Sequence, residues 1–275
     1  MSTPSPLARL PAELIGLIFG ALLSFSDVAR FAATCRRHRQ VWVDFAYTIY
    51  RQVAPRTAPC RKLARLLLAA QGGPPVSATH LSHPEVLQLI SNAAVGENSV
   101  ADLEKHHIRR VKENELVVRN PRPRHLSRSE RIRYIRGVYQ LWGLALLGPE
   151  ARQQRINSMT LKDMLEVRDL VLGDAVHIAD PVVLAMRDGY PYAAFEMVYV
   201  DMYPRLEQIV SDLYDEDISS WGLPYCEGLL GRISFWDSYY DMSKEMILGG
   251  LAGKKQCPDP GLAWEDTSDD DRIDE

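Results

Sequence analysis

Cysteine is scarce in this chain. There are four in 275 residues (Cys35, Cys60, Cys226 and Cys257), and no two of them form a CxxC pair. That count and spacing exclude a disulfide framework of the kind that staples small secreted domains. No Asn-x-Ser/Thr sequon occurs either. Long apolar runs are also missing. The longest, Leu14 to Leu23, has ten residues, and about 20 are needed to span a bilayer as a helix. The sequence further lacks GxGxxG, a P-loop, HExxH and GxSxG, so the common nucleotide, zinc-protease and serine-hydrolase sites have no motif to rest on. No 20–50-residue period is present, which excludes a solenoid or propeller.

The apolar run near the N-terminus imitates a secretion signal. Arg9 is followed by LIGLIFGALL and then by SFS, with small residues spaced like a cleavage site. Pro11 and Glu13 stand just ahead of the run, however, and Glu13 cancels the charge of Arg9. Together with the sparse cysteines, this favours a reducing compartment and a cytoplasmic or nuclear location.

The net charge of −4 conceals a polarity: residues 1–155 carry net +12 and residues 156–275 net −16. Two halves of opposite sign can answer one another or carry solvated faces. A basic half can also mark a nucleic-acid surface.

Helix signals run from end to end, and the fold class they predict is all-α. Pro11 suits a first helical turn, with Glu13 placed well for the dipole. Ser26 reads as an N-cap with Asp27 just inside. Helices are predicted over 27–37, 39–53 and 60–71, with a break at PRTAP (55–59) and a stop at GGPP. Two more follow, near 84–94 and from about 99 to 118. NPRPR at 120–124 reads as a linker. Ser127 with Glu130 forms a capping box ahead of a helix whose stripe is Ile132, Ile135, Val138, Tyr139, Trp142 and Leu146. Thr160 with Asp163 opens another helix, with Leu161, Met164, Val167 and Val171 as its stripe. Ser234 with Asp237 opens a last one. The best strand candidates, ELVVR (115–119) and EMVYV (196–200), are short. From Gly253 onward the chain is polar, broken by Pro and Gly, and acidic, the composition of a disordered tail.

The first helix is apolar almost all round: Leu10, Leu14, Ile15, Leu17, Ile18, Phe19, Leu22 and Leu23. A helix so short cannot bury every face in one small layer, so part of it must meet the rest of the chain or a partner. The order Leu10-Pro11-x-Glu13-Leu14-Ile15-x-x-Ile18-Phe19-x-x-Leu22, then Ser26-Asp27-Val28-x-x-Phe31-x-x-Thr34-Cys35-Arg36-Arg37, then Trp42, resembles an F-box. The resemblance departs at His38, where many F-boxes place Trp; Trp42 supplies an aromatic four residues later. Beyond it, RYIRGVYQLWGL and ISFWDSY are similar to helical F-box proteins common in filamentous fungi.

The resemblance implies a three-helix module over residues 1–52, a helical domain over 53–252 that recognises a substrate, and the acidic tail over 253–275. It implies docking on a Skp-type adaptor, and through it on a cullin, in a ubiquitin ligase. Leu10, Pro11, Leu14, Ile15, Ile18 and Leu22 are the implied adaptor contacts, with Val28, Phe31 and Trp42 behind or beside them. The basic cluster Arg36, Arg37, His38 and Arg39 could meet acidic side chains of the adaptor, although such a run is more often a solvated helix end. A protein of this kind is a non-catalytic subunit without cofactor or metal. Its alternatives are an F-box protein acting with the adaptor outside a ligase, and a helical nucleic-acid binder.

Other constellations carry less. His106 and His107 are adjacent on a helix, about 100° apart, and cannot readily chelate one metal. His80 and His83 flank a loop with no third ligand in sequence. Asp270-Asp271-x-x-Asp274 spells the magnesium-diphosphate signature DDxxD, but within an acidic tail. The segment 119–136 holds seven arginines in 18 residues and is the best nucleic-acid candidate, with the basic first half of a helix as its plainer reading. Trp221, Tyr225, Phe235, Trp236, Tyr239 and Tyr240 could line a pocket, although aromatics at helical spacing more often form core.

Overall fold

A computed structural model describes residues 10–113, 125–172 and 193–214. These residues form ten helices and no strand. The linker at 120–124, ELVVR, the helix expected after Ser234 and the acidic tail lie outside the described residues. The chain divides into two compact units, one holding the described residues up to Ala94 and the other those from Val95. The boundary expected after residue 52 falls inside a helix.

In the first unit, α1 (Ala12–Ala21), α2 (Phe25–Ala32), α3 (Arg36–Asp44) and α4 (Ala46–Thr57) pack together. The N-cap of α2 is Ser24 rather than Ser26. The Ser24 hydroxyl accepts the backbone N–H of Asp27 at 3.1 Å and donates to the Asp27 carboxylate at 2.7 Å. Thr34 and Cys35 then break the helix predicted over 27–37, and Cys35 caps α3 by accepting the His38 N–H on Sγ at 3.5 Å. Phe45, at φ −111° and ψ 18°, separates α3 from α4. Pro55 sits within the last turn of α4 and the helix ends at Ala58, later than PRTAP suggested.

Six aromatic contacts organise this unit. Phe19 packs edge-on to Phe31 at 4.8 Å and lies 6.3 Å from Trp42. Phe31 lies 4.3 Å from the His38 ring, and Trp42 meets His83 edge-on at 5.4 Å. Tyr47 meets His80 at 5.8 Å, and Phe25 stacks on Tyr50 at 5.6 Å. The helix α5 (Arg61–Ala70) buries Leu63, Leu67 and Leu68. Its Arg65, also buried, donates from Nη2 to the carbonyls of Pro75, Val76 and Ala78 and so holds the loop that follows.

Two helices expected near 84–94 and 99–118 are one helix, α6 (His83–Glu113). Polar residues along its middle are satisfied: Asn92 exchanges amide hydrogen bonds with Gln71 at 2.8 and 3.2 Å, and Ser99 donates to the Val95 carbonyl.

The second unit centres on α7 (Arg128–Leu146), opened by the Ser127–Glu130 capping box. The sequence showed one apolar face. The helix is buried nearly all round, with Tyr134, Leu141, Leu144 and Ala145 enclosed besides the predicted Ile135, Val138, Tyr139 and Trp142. Around it lie α8 (Pro149–Asn157), α9 (Leu161–Leu172) and α10 (Ala193–Tyr214). At Gly96, α6 passes beside Ile135 and Tyr139. EMVYV is helical, not a strand: it lies in α10, whose buried positions Phe195, Val198, Met202, Leu206 and Ile209 follow the helical period. Arg152 of α8 ties α10 through Asp201 at 2.6 Å.

Candidate docking surface

At about 100° per residue, Pro11, Leu14, Leu17, Ile18 and Ala21 share an arc of roughly 120° on α1, while Ile15 and Phe19 point away from it. Burial follows this division. Ile15 and Phe19 are wholly enclosed. Leu14 is 45 % exposed, Leu17 59 %, and Leu23, just past the helix, 75 %. Pro11 is exposed, and Leu10, Ile18 and Leu22 are half-buried. Each large apolar side chain kept from water is worth about 1.5–3 kcal/mol, so a contiguous set left in solvent has the character of an interface.

The residues picked from sequence therefore fall into two groups. Leu10, Pro11, Leu14, Ile18 and Leu22 lie on or beside the open surface. Ile15, Val28 and Trp42 are buried in the module, with Phe31 half-buried between them. Leu17 and Leu23 are the open residues that the selection missed. Both stood in the apolar list for this helix; a wheel drawn with Ile15 and Phe19 inward brings out Leu17.

The basic cluster divides as well. Arg36, Arg37 and Arg39 are exposed, but His38 is buried, its Nδ1 2.7 Å from the Thr34 hydroxyl. Arg37 donates from Nη2 to the Leu10 carbonyl. This contact sets the first turn of α3 against the N-terminal end of α1.

Residues 7–53 match the family model described as F-box-like. The chain carries an F-box-like domain in its first unit. F-box domains as a class bind Skp-type adaptors. No curated protein and no solved structure matches the chain.

His80 and His83 pack edge-on to Tyr47 and Trp42. Burial and the nearby Arg39 both push the His83 pKa down. Among the described residues no cluster of His, Cys, Asp and Glu could hold a metal, and no helix is long and apolar enough to cross a membrane. Of the Arg-rich segment, Arg131 pairs with Glu97 and Arg136 with Asp163 and Glu166. Arg119, Arg122 and Arg124 lie outside the described residues. So do the side chains of His106 and His107, the aromatic set 221–240 and the DDxxD sequence.

Proposed function

We propose that this protein is the substrate-recognition subunit of a Skp–cullin–F-box ubiquitin ligase, acting in the cytoplasm or nucleus. The open leucines of α1 enter an apolar groove of the adaptor, a helix-in-groove contact. The helical remainder holds a target near the ubiquitin-loaded enzyme, raising the effective concentration of a target lysine. The chain itself forms no covalent intermediate; it contributes position. The observation that carries this reading is the exposure of Leu14 and Leu17 on the first helix of an F-box-like domain.

The test is co-purification of the full chain with a recombinant Skp-type adaptor and a cullin. Capture of both by wild type, lost in Leu14→Asp/Leu17→Asp with the helical content intact, is the expected result. Capture of adaptor without cullin selects action outside a ligase. Undiminished capture by the double variant refutes the docking face. Salt-sensitive retention on nucleic acid with no adaptor bound favours the nucleic-acid reading instead.

A further inference from the structure

The helix α10 is apolar on two opposite faces. Phe195, Val198, Met202, Leu206 and Ile209 are buried on the side that meets the rest of the second unit. At about 100° per residue, Met197, Val200, Tyr203 and Pro204 share an arc of roughly 120° on the other side, and all four are exposed. Tyr199, beside them, holds its ring 5.5 Å from that of Tyr203. A helix with one buried face carries polar residues on the opposite one, whereas apolar residues on both belong to a helix enclosed between two layers. Pro204 adds a polar demand to the outer face, because it has no N–H to give to the Val200 carbonyl one turn earlier.

The stripe is too small to hold a separate chain. A stable interface takes about 20–30 residues a side. A tethered segment needs far less contact, since a short tether raises its effective concentration to about the millimolar range. Such a segment follows in the chain. Residues 234–248, where Ser234 and Asp237 predict the start of a helix, repeat Phe235, Tyr239, Met242 and Met246 at helical spacing, with Asp237, Asp241, Lys244 and Glu245 falling on the opposite side. These methionines and rings match the stripe in kind, and sulfur–ring contacts are favourable. The Tyr239 hydroxyl is a donor of the sort that Pro204 denies to the Val200 carbonyl. Residues 215–233, 19 in number, join the segment to Tyr214. A coil of that length spans about 24 Å, and Val200 lies about 21 Å back along α10 from Tyr214 at 1.5 Å per residue.

We propose that residues 234–248 fold back antiparallel along α10 and cover Met197, Val200, Tyr203 and Pro204 with the stripe of Phe235, Tyr239, Met242 and Met246. The outer face of α10 is then an internal seam of the second unit. A target held by that unit meets another surface, and the acidic residues after 253 start from the edge of this seam. The proposal stands independently of docking at α1.

The experiment is amide hydrogen exchange on the full chain, with the oligomeric state read by light scattering, for wild type, Val200→Asp and Met242→Asp. In monomeric wild type the amides of 236–247 should exchange at least about tenfold more slowly than in an unstructured peptide of the same sequence. Each substitution should erase that protection while α7 and α9 keep theirs. Protection of 236–247 that survives Val200→Asp overturns the proposal, because the segment then packs elsewhere. Loss of protection through α7 and α9 in Val200→Asp also overturns it, by making Val200 part of the core. Unprotected 236–247 in a concentration-dependent dimer that Val200→Asp abolishes assigns the stripe to a second copy instead. Unprotected 236–247 in a monomer leaves the stripe open to a foreign chain and overturns the seam.

Discussion

Nδ1 of His38 sits 2.7 Å from the hydroxyl of Thr34, at the turn that joins α2 to α3. That hydroxyl also lies 2.7 Å from the Phe31 carbonyl, to which it donates its one proton. The ring nitrogen must then be the donor to Thr34, which fixes both the tautomer and the ring plane. The same ring lies against Phe31 at 4.3 Å. His38→Ala removes a hydrogen bond and a ring contact together and should cost about 2–3 kcal/mol. Thr34→Val, which keeps the ring, should cost about 1 kcal/mol. Denaturant unfolding of the two variants reads both, and a His38→Ala midpoint equal to wild type would remove His38 from the folding core.

Ile15 and Leu17 are two residues apart and have opposite surroundings: Ile15 is fully enclosed and Leu17 is 59 % exposed. Ile15→Ala opens a cavity and should lose about 2–4 kcal/mol of stability. Leu17→Ala should leave stability within about 0.5 kcal/mol of wild type while weakening adaptor capture. Thermal melts and a binding titration separate the two. A reversed pattern, with Leu17 structural and Ile15 silent, would show that α1 is rotated from the orientation described.

Local chemistry was the most legible part of the fold. The Ser127–Glu130 box, the Thr160 N-cap at 3.2 Å from the Asp163 N–H, and the stripe of α9 all follow from side chains within four residues of one another. The α1 surface was half legible: apolarity all round announced an interface but could not say which leucines face inward. That depends on where Phe31 and Trp42 close over Phe19, a tertiary matter. The continuity of α6 across residues 95–98 was not legible, because the partners that satisfy its polar middle, such as Gln71 for Asn92, are distant in sequence. His38 was read as solvated for a similar reason. Its neighbours in sequence are three arginines, and its neighbours in space are Phe31 and Thr34.

Two glycines of α7 test the packing of the second unit. A Cβ on Gly137 would lie 2.8 Å from Leu170 Cδ1 and 3.3 Å from the Glu166 carbonyl oxygen, whereas one on Gly143 meets nothing within 4 Å. Alanine gains about 1 kcal/mol over glycine inside a helix from propensity alone. Overpacking costs about 1–3 kcal/mol. Gly143→Ala should therefore raise the thermal midpoint and Gly137→Ala should lower or fail to raise it. Equal stabilisation by both would mean that α7 and α9 do not approach closely at Gly137.

Asp163 and Glu166, one turn apart on α9, share Arg136 and are driven in opposite directions. Burial pushes the Asp163 carboxyl up. The charge of Arg136, its hydrogen bond at 2.7 Å, and those from Gln140 and Thr160 together outweigh burial and hold the pKa below the usual carboxylate range. Glu166 lies 3.2 Å from Arg136 Nε, but neither of its oxygens has a hydrogen-bond partner. Burial therefore prevails over the attraction of Arg136 and Lys162, and its pKa is pushed up to about 7. A carboxyl whose folded pKa is raised contributes stability that is fully present below its unfolded value near 4.5 and is lost as pH rises through about 7. Glutamine copies the protonated form at every pH. Glu166→Gln should therefore lie close to wild type near pH 4.5 and gain on it by on the order of 2 kcal/mol by pH 8. Urea unfolding of both proteins across that range measures the difference. A gap independent of pH would mean that Glu166 is ionised throughout, with Arg136 and Lys162 supplying more than burial removes.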